Sequence, residues 1–247
     1  MREWAGKRYW LVGASEGLGL SLTRLISGAG AEVVLSARSE GPLAAAVAQM
    51  PGRASAVPCD VGDSASVRAA AEQVGQIDGV VFLAGVYWPM RAQEWDADHA
   101  EAMCNVNFTG CARVIGAALP QMVARDAGHV VITGSLSGFR GLPGAIGYAA
   151  SKAGTMVLAE SLYADLRNSG ITVQVANPGF IRTRLTAKND FAMPQVMEPE
   201  AAARMMFEHL CTDDFKLSFP KPFAWLFRGG QLLPDALWYR IFGRGKG

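Results

Sequence analysis

Apolar residues along this chain occur in two patterns, short continuous runs and longer segments with helical spacing. The two patterns alternate until beyond residue 215. Residues 9–12 form a short apolar run, Leu18, Leu22 and Ile26 then recur at the spacing of one helix face, and residues 32–35 form a second run. Short apolar runs predict buried strands, and the longer periodic segments predict helices. After the first run, strand candidates recur at Val33, Val57, Val80, Val131, Val173 and Leu217. This alternation predicts an α/β fold in which a doubly wound parallel sheet lies between two helix layers (three-layer α/β/α).

A glycine loop joins the first predicted strand to the first predicted helix. Glycine lets the backbone turn tightly and approach a pyrophosphate, which would rest at the helix N-terminus. The strand, loop, helix and strand in succession therefore predict a Rossmann-type nucleotide site, although the loop could also be only a tight structural turn. The contacts predicted here are Gly13, Ser15, Gly17, Leu18 and Gly19.

The end of the second predicted strand bears on the choice of cofactor. An acidic residue at this point would hold the ribose 2′-hydroxyl of NAD, but the chain has Arg38 and no carboxylate there. Because a guanidinium can pair with a 2′-phosphate through two hydrogen bonds, the sequence favours NADP (NADPH) over NAD. Two alternatives stay open. Glu16 could repel the phosphate or pair with Arg38, and Arg38 could be a solvated surface charge.

Tyr148 and Lys152 form a candidate proton-transfer pair. They stand four residues apart in residues 148–167, whose alanine and leucine content predicts a helix, so both side chains should lie on one face. A nearby cation favours phenolate, and lowering the tyrosine pKa by ~3 units would take about 4 kcal/mol. Lys152 and a bound cofactor cation could supply this together. Ser135 follows another apolar run, although Tyr-x-x-x-Lys alone is also a common accident on helices.

These pieces, in this order, resemble the short-chain dehydrogenase/reductase family over roughly residues 7 to 220. The resemblance implies an NAD(P)-dependent oxidoreductase that interconverts a carbonyl and an alcohol. Besides the glycine loop, the matching motifs are Asp60-Val61, Ala84-Gly85, Asn107, Ser135, Tyr148-x-x-x-Lys152 and the run from Pro178 to Thr183.

The resemblance also implies a role for each residue. Tyr148 would donate or remove the substrate hydroxyl proton, and Ser135 would orient the carbonyl. Lys152 would lower the tyrosine pKa and hold the nicotinamide ribose, and Asn107 would anchor a water in the proton relay. The remaining cofactor contacts would be Asp60 and Val61 at the adenine, Ala84 and Gly85 at the adenosine ribose, the Pro178-Gly179 turn, and Ile181 and Thr183 at the carboxamide.

Each of these residues also has a purely structural explanation. Asn107 could satisfy a helix end, Ser135 could end a strand, Asp60 could cap the helix that starts near Ser64, and residues 178–179 could be an ordinary turn.

The chain also departs from the family pattern. Phe82 and Leu83 stand where most members have two asparagines, and Val12 replaces a threonine. In the family these polar groups mainly tie the central strands together, so their loss bears on stability more than on chemistry. A non-catalytic nucleotide-binding regulatory protein, or a related lyase or isomerase, remains an alternative.

Length and composition narrow the class further. With 247 residues, 50% hydrophobic content and a net charge of +1, the chain suits one domain over residues 1–247. The absence of a basic stripe argues against nucleic acid as a partner. Four cysteines without CxxC pairing and three scattered histidines predict a reduced, cytoplasmic protein without a structural metal. We find no signal-peptide-like or membrane-spanning run, and we expect a homodimer or homotetramer.

Apolar loops are expected around the predicted site. Residues 86–90 and 139–143, together with Phe180, Phe191 and Met193, predict a hydrophobic small-molecule carbonyl or alcohol substrate, although such residues are as often plain packing. Arg140 could meet an acidic group of this substrate or face solvent. The short loop 184–199 predicts a fairly open cleft.

The composition changes after residue 214. Basic and aromatic residues in short helical pieces are typical of an interfacial membrane segment, so the extension at about 221–247 could make peripheral membrane contact. Alternatively, it packs on its own domain or a dimer partner and covers the cleft. The basic residues are Lys216, Lys221, Arg228, Arg240, Arg244 and Lys246, against the single acid Asp235. The aromatic residues are Phe215, Phe219, Phe223, Trp225, Phe227, Trp238, Tyr239 and Phe242.

Overall fold

The computed structural model describes residues 2–189, 191 and 193–242, and the strands of this part form one seven-stranded sheet. The sheet order is β3-β2-β1-β4-β5-β6-β7, and every neighbouring pair is parallel. The order reverses on either side of β1, which is the doubly wound arrangement. The strands are β1 Arg8–Val12, β2 Glu32–Ser36, β3 Ala54–Ala56, β4 Gly79–Phe82, β5 Gly128–Thr133, β6 Ile171–Pro178 and β7 Lys216–Phe219.

Helices connect the strands and cover both faces of the sheet. The α-helices are α1 Gly17–Gly28, α2 Glu40–Val47, α3 Ser64–Val74, α4 Ala97–Met103, α5 Gly110–Ala124, α6 Ile146–Leu166, α7 Pro199–Leu210, α8 Lys221–Gly230 and α9 Asp235–Phe242. A π-helical turn, Cys104–Thr109, joins α4 to α5, and short 3₁₀ turns occupy Ala92–Glu94, Leu136–Gly138 and Thr186–Lys188.

Alternate residues of each strand face opposite helix layers. On one face Trp10 and Phe82 pack with residues of α3, α5 and α6; on the other, Leu11 and Val81 pack with residues of α1, α2 and α7. Because both faces are buried, the strands read as continuous apolar runs rather than as an apolar and polar alternation. The predicted three-layer, Rossmann-type fold is confirmed.

Element positions agree with the expected ones except for small shifts. Val57 lies one residue beyond β3, although its amide still donates to the Leu35 carbonyl at 2.9 Å. The helix near Ser64 is capped by Asp63, whose carboxylate accepts from the next helical amides at 2.9 and 3.3 Å. The capping role considered for Asp60 is therefore wrong. The Asp60 carboxylate instead accepts from the Gly62 amide at 2.8 Å, within its own turn.

Apolar packing replaces the missing polar ties between the central strands. Phe82 and Val12 are both buried in the core cluster that includes Ile132. The backbone pairing continues past the strand, because the Leu83 amide donates to the Val12 carbonyl at 2.8 Å.

Helices α8 and α9 pack against the body of the protein. Phe223, Phe227 and Trp238 are buried in one cluster with Leu136, which follows β5. The packing alternative is thus observed for this face of the extension. Residues 243–247, with two of the basic residues noted above, lie outside the described part of the chain. Within that part, no helix is long and apolar enough to cross a membrane.

Candidate active site

The structure gathers the four predicted catalytic residues at the carboxyl end of β5. Ser135 follows that strand directly, Tyr148 and Lys152 lie in the first turns of α6, and Asn107 lies in the π-helical turn. The Lys152 ammonium donates to the carbonyl of Thr133, the last residue of β5, at 2.9 Å. This bond fixes the start of α6 against the strand end.

Tyr148 lies beside an aromatic ring and a serine hydroxyl. Its ring meets that of Tyr87 edge-on, with 5.1 Å between centroids. Burial raises the pKa of Tyr148 to about 12, an effect that the Ser135 hydroxyl opposes and Tyr87 adds to. This direction is opposite to the one expected from sequence. Lys152 does not reverse it, because its Nζ lies 5.9 Å from the Tyr148 ring centroid and is directed to a backbone carbonyl. The protein's own residues therefore keep Tyr148 protonated at neutral pH.

Lys152 is a buried cation. Its side chain is almost completely shielded from solvent, and burial lowers the pKa of Lys152 to about 8, with the Cys111 thiol acting in the opposite direction. The amine therefore gives up its proton at a lower pH than an exposed lysine does.

Asn107 clamps the loop that follows β4. Its side-chain oxygen accepts from the Val86 amide at 2.8 Å, and its amide nitrogen donates to the Val86 carbonyl and to Ser151 Oγ, each at 3.0 Å. Thr155 Oγ1 donates to the Asn107 backbone carbonyl at 3.1 Å. Since Asn107 sits inside a continuous helical stretch, it does not satisfy a helix end, and that alternative is wrong.

Ser135 orders the turn beside the phenol. Its Oγ accepts from the Ser137 amide at 3.2 Å and lies 2.8 Å from Ser137 Oγ. It caps the 3₁₀ turn Leu136–Gly138 and so holds its hydroxyl at the end of β5.

The glycine loop is shaped by close backbone contacts. Gly13 has φ +91°, and a Cβ atom there would lie 2.4 Å from the Ala84 amide nitrogen. A Cβ at Gly19 would lie 2.1 Å from the Gly13 carbonyl oxygen. These two glycines are therefore required by the loop itself. Gly17, with φ +54°, opens α1, and its N-cap residue Glu16 makes no side-chain cap. The first amides of the helix are thus left for an anion, which fits a pyrophosphate.

The charges near the loop pair differently from the expectation. Glu16 accepts from Arg184 at 2.6 Å rather than from Arg38, so the Glu16–Arg38 pair considered above is wrong. Arg38 is exposed and makes no hydrogen bond or ion pair with any other described residue. Its guanidinium is therefore available to an anionic ligand.

The other predicted cofactor contacts lie along the same edge of the sheet. A Cβ at Gly17 would lie 3.0 Å from Thr183 Cγ2, and one at Gly85 would lie 3.4 Å from Asn107 Oδ1. Beyond β6, the Gly179 amide donates to the Phe219 carbonyl at 2.8 Å. The remaining contacts lie in the segments that follow the strands. After β3 come Asp60 and Val61, after β4 comes Ala84, and β6 ends at Pro178. Beyond β6, Ile181 pairs with Met197, and the glycine loop itself contains Ser15 and Leu18. The structure thus brings the predicted set to one edge, where ligands of such sheets bind.

Three residues that support the site had no assigned role in the sequence. Thr133 holds Lys152 through its carbonyl, and Ser151 bridges Asn107 to the Tyr148 carbonyl at 2.8 Å. The only sequence signal for Ser151 is its place beside Lys152. Lys188 donates to the Tyr87 carbonyl at 2.8 Å, and its Nζ lies 4.2 Å from the Trp88 ring centroid. A contact across about 100 residues leaves no local pattern.

Arg140 is held by the C-terminal helices. Its guanidinium donates to the Gly230 and Leu233 carbonyls and to the Asp235 carboxylate, and it lies 5.1 Å from the Trp238 ring centroid. Both alternatives raised for Arg140, a substrate acid and solvent, are therefore wrong. The sequence could not predict that Arg140 contacts residues about 90 positions later in the chain.

Aromatic side chains of the loop after β6 pack against one another and against helix α8. Phe180 lies 5.9 Å from Phe191 and 5.7 Å from Phe223, measured between ring centroids. The aromatic contacts therefore join the loop after β6 to helix α8.

Comparison with known proteins gives a consistent result. A family model described as short chain dehydrogenase matches residues 7–193. An uncharacterized oxidoreductase of Myxococcus xanthus is 36% identical over 245 residues, which are 96% of each chain. An uncharacterized oxidoreductase of Staphylococcus saprophyticus is 31% identical over 201 residues, covering 78% of this chain and 86% of the relative.

Solved structures resemble the whole fold. A short-chain dehydrogenase from Streptomyces avermitilis superposes with a TM-score of 0.84 at 27% identity over 96% of both chains. A 3-oxoacyl-[acyl-carrier protein] reductase from Brucella melitensis superposes with a TM-score of 0.78 at 24% identity, over 87% of this chain and 90% of that one. The latter shows likeness of fold alone.

Proposed function

Since the chain belongs to the short-chain dehydrogenase family, we propose that it is an NADP-dependent oxidoreductase that interconverts a carbonyl and an alcohol on an apolar small molecule. The observation that carries this proposal is the convergence of Ser135, Tyr148 and Lys152 at the end of β5. Because Tyr148 is kept protonated, it is prepared to act as an acid.

Each residue then has a defined task. A bound nicotinamide dinucleotide supplies the hydride. Tyr148 donates its proton to the substrate oxygen on which negative charge develops, and Ser135 donates a hydrogen bond to the same oxygen. With the cofactor bound, Lys152 would hold the nicotinamide ribose, as the family resemblance implies, and its positive charge would favour the phenolate that forms as Tyr148 gives up its proton. Asn107 holds the loop after β4 and the start of α6 in place through its bonds to Val86 and Ser151.

NADP is proposed over NAD because of Arg38. No carboxylate occupies the end of β2, and the guanidinium is exposed and unpaired among the described residues. Glu16, which could have opposed the phosphate, is partly neutralised by Arg184. The remaining predicted cofactor residues would hold the pyrophosphate, the adenosine and the carboxamide, as the family resemblance implies.

The apolar wall supports a hydrophobic substrate. The partly exposed Phe180 and the half-exposed Phe191 supply aromatic surface, and Tyr87 packs against the proposed acid. A carbonyl compound with an aliphatic or aromatic body would bury this surface from water.

We also propose a single cytoplasmic domain that forms a homodimer or homotetramer. Two core clusters lie on opposite faces of one sheet, which supports a single domain. Exposed apolar side chains at Phe108 and Val157 provide a surface that a second copy could cover.

The test is turnover by the purified protein. NADPH consumption should be measured against ketosteroids, β-ketoacyl thioesters and aromatic ketones, with NADH in parallel. We expect consumption that depends on one of these carbonyls and that is faster with NADPH. If the protein binds NADPH yet turns over none of them in either direction, the alternative of a non-catalytic nucleotide-binding protein is favoured.

A further inference from the structure

The two C-terminal helices have a buried face and an exposed apolar face. Phe223, Phe227 and Trp238 fill the buried face. On the other side, Trp225 is 73% exposed and Leu232 is 89% exposed, more than any other large hydrophobic residue of the described chain. The exposed set, which we call the α8–α9 surface, comprises Trp225, Leu226, Leu232, Leu237, Tyr239 and Ile241 with the basic residues Lys221, Arg228 and Arg240.

Helical spacing brings cations and apolar groups of this surface together. Lys221, Trp225 and Arg228 are four and three residues apart, so they form one stripe along α8. Leu232 follows in the turn, where its amide donates to the Gly229 carbonyl at 3.0 Å, and extends the stripe. An exposed tryptophan is therefore flanked on both sides by a positive charge.

The charge of the α8–α9 surface is positive and uncompensated. Lys221, Arg228 and Arg240 make no side-chain hydrogen bond or ion pair with another described residue. The acid of these helices, Asp235, is bound to Arg140. No carboxylate of α8 or α9 is left to balance the three cations.

This combination distinguishes between the possible occupants. A two-fold contact with a second copy would bring the same patch against itself, so six cations would share one interface with no free carboxylate from α8 or α9. An anionic bilayer instead meets both features, because indole and phenol rings settle at the headgroup level and cations meet the lipid phosphates. We propose that the α8–α9 surface docks on an anionic membrane surface.

The docking surface is built before any membrane is met. Arg140 ties the turn between the helices and the start of α9 to the body, and the Trp238 indole donates to the Gly141 carbonyl at 3.0 Å. Docking therefore needs no folding step at the bilayer.

The surface also lies beside the proposed substrate wall. Phe223 on the buried side of α8 contacts Phe180, which contacts Phe191. Docking would thus hold the cleft close to the bilayer, where apolar carbonyl compounds partition. This second step rests on the proposed function, whereas the docking itself does not.

Vesicle co-sedimentation tests the docking without measuring turnover. The full chain is mixed with vesicles of phosphatidylcholine alone or with added phosphatidylglycerol. We expect binding only to the anionic vesicles and a decline with salt, because salt shortens the screening length. Each basic residue near such a surface contributes about five-fold in affinity, so the triple variant Lys221→Gln, Arg228→Gln, Arg240→Gln should bind about 100-fold more weakly.

Matched controls distinguish binding through the α8–α9 surface from binding through charged or apolar residues elsewhere on the protein. A second triple variant, Arg53→Gln, Arg68→Gln, Arg167→Gln, removes the same charge elsewhere and should bind like the wild type. Trp225→Ser should weaken binding, whereas Trp95→Ser, at a tryptophan that is 59% exposed, should not. All replaced side chains are exposed, and circular dichroism checks that each variant is folded.

Three results would overturn the proposal. The wild type could remain in the supernatant with anionic vesicles, it could bind both vesicle types equally, or both triple variants could lose the same affinity. The wild type could fail to sediment with vesicles while Trp225→Ser lowers the molecular mass that analytical ultracentrifugation gives for the protein alone. In that case the surface is instead an interface between copies of this chain.

Discussion

Burial acts on Tyr148 and Lys152 through the same physical effect. Low polarity disfavours the charged form of each group, so the pKa of Tyr148 rises to about 12 and that of Lys152 falls to about 8. From sequence, only the attraction between the cation and the phenolate could be considered. The burial that shifts both pKa values arises only when the fold packs segments distant in sequence around the two side chains, as Tyr87 packs on the Tyr148 ring.

The proposed acid is tested by removing one oxygen. Tyr148→Phe keeps the ring that packs on Tyr87 but deletes the proton donor, so kcat should fall by at least ~10²-fold. NADPH affinity, measured by fluorescence titration, should change little. A variant that keeps half of the wild-type rate would contradict the assignment.

Lys152 gives a pH-dependent prediction for stability. Its folded pKa of about 8 lies below the value of 10.5 that a lysine has in the unfolded chain, so between these values the unfolded chain binds more protons and stability rises with pH. Relative to Lys152→Met, the wild type should gain at most about 1.4 kcal/mol per pH unit between about pH 8 and pH 10. Urea unfolding of both proteins measures the difference. Lys221→Met, at an exposed lysine, controls for loss of a charge, and a flat difference for Lys152→Met would refute the prediction.

Arg38 carries the prediction on cofactor choice. Arg38→Asp removes the charge-assisted contact to a 2′-phosphate and adds repulsion, so NADPH binding should weaken by about 2 kcal/mol or more. NADH binding should change less, which reverses the preference. Titration of the wild type is decisive by itself, since tighter binding of NADH than NADPH would refute the role of Arg38.

At the scale of elements, the sequence pattern located most strands and helices because buried parallel strands and their covering helices have strong periodic signals. The pattern did not reveal the π-helical turn Cys104–Thr109, since its residues resemble those of an ordinary helix. It also did not reveal that Arg140 fastens α8 and α9. The contacts of Arg140 join segments about 90 residues apart, which no local pattern records.

The fastening role of Arg140 can be measured. Arg140→Met removes donors to the Leu233 carbonyl and the Asp235 carboxylate, so the free energy of unfolding should fall by about 2 kcal/mol. Hydrogen exchange in α8 and α9 should accelerate more than in the sheet. Arg182→Gln breaks an exposed pair with Glu198 and should cost less than about 1 kcal/mol. Equal effects of the two changes would argue against a fastening role.

For the molecule as a whole, the family motifs predicted the sheet and the edge at which the site residues meet, because each motif stands at a strand end. The function of the extension could not be decided in the same way. Its aromatic residues suit both packing and a membrane surface, and only the structure separates the buried Trp238 from the exposed Trp225.

Removing the extension should therefore damage the whole protein. A chain that ends at Pro220 loses Phe223, Phe227 and Trp238 and uncovers Leu136, so stability should fall by about 3 kcal/mol or more. We expect the shortened chain to aggregate on heating, and light scattering measures this aggregation. The Lys221, Arg228, Arg240 triple variant keeps the buried face and should remain monodisperse. A shortened chain as stable as the full one would show that the packing matters little.

The order of these elements in the chain has a consequence for synthesis. Helices α8 and α9 follow β7, so the ribosome makes them after every strand of the sheet. At elongation rates of about 5 to 20 residues per second, residues 221–242 take about 1 to 4 seconds to add. During that interval the nascent protein carries Leu136 and Phe180 without their cover, beside strands that can already pair. The newborn chain therefore exposes this apolar surface until α8 and α9 have been made and have packed on the sheet.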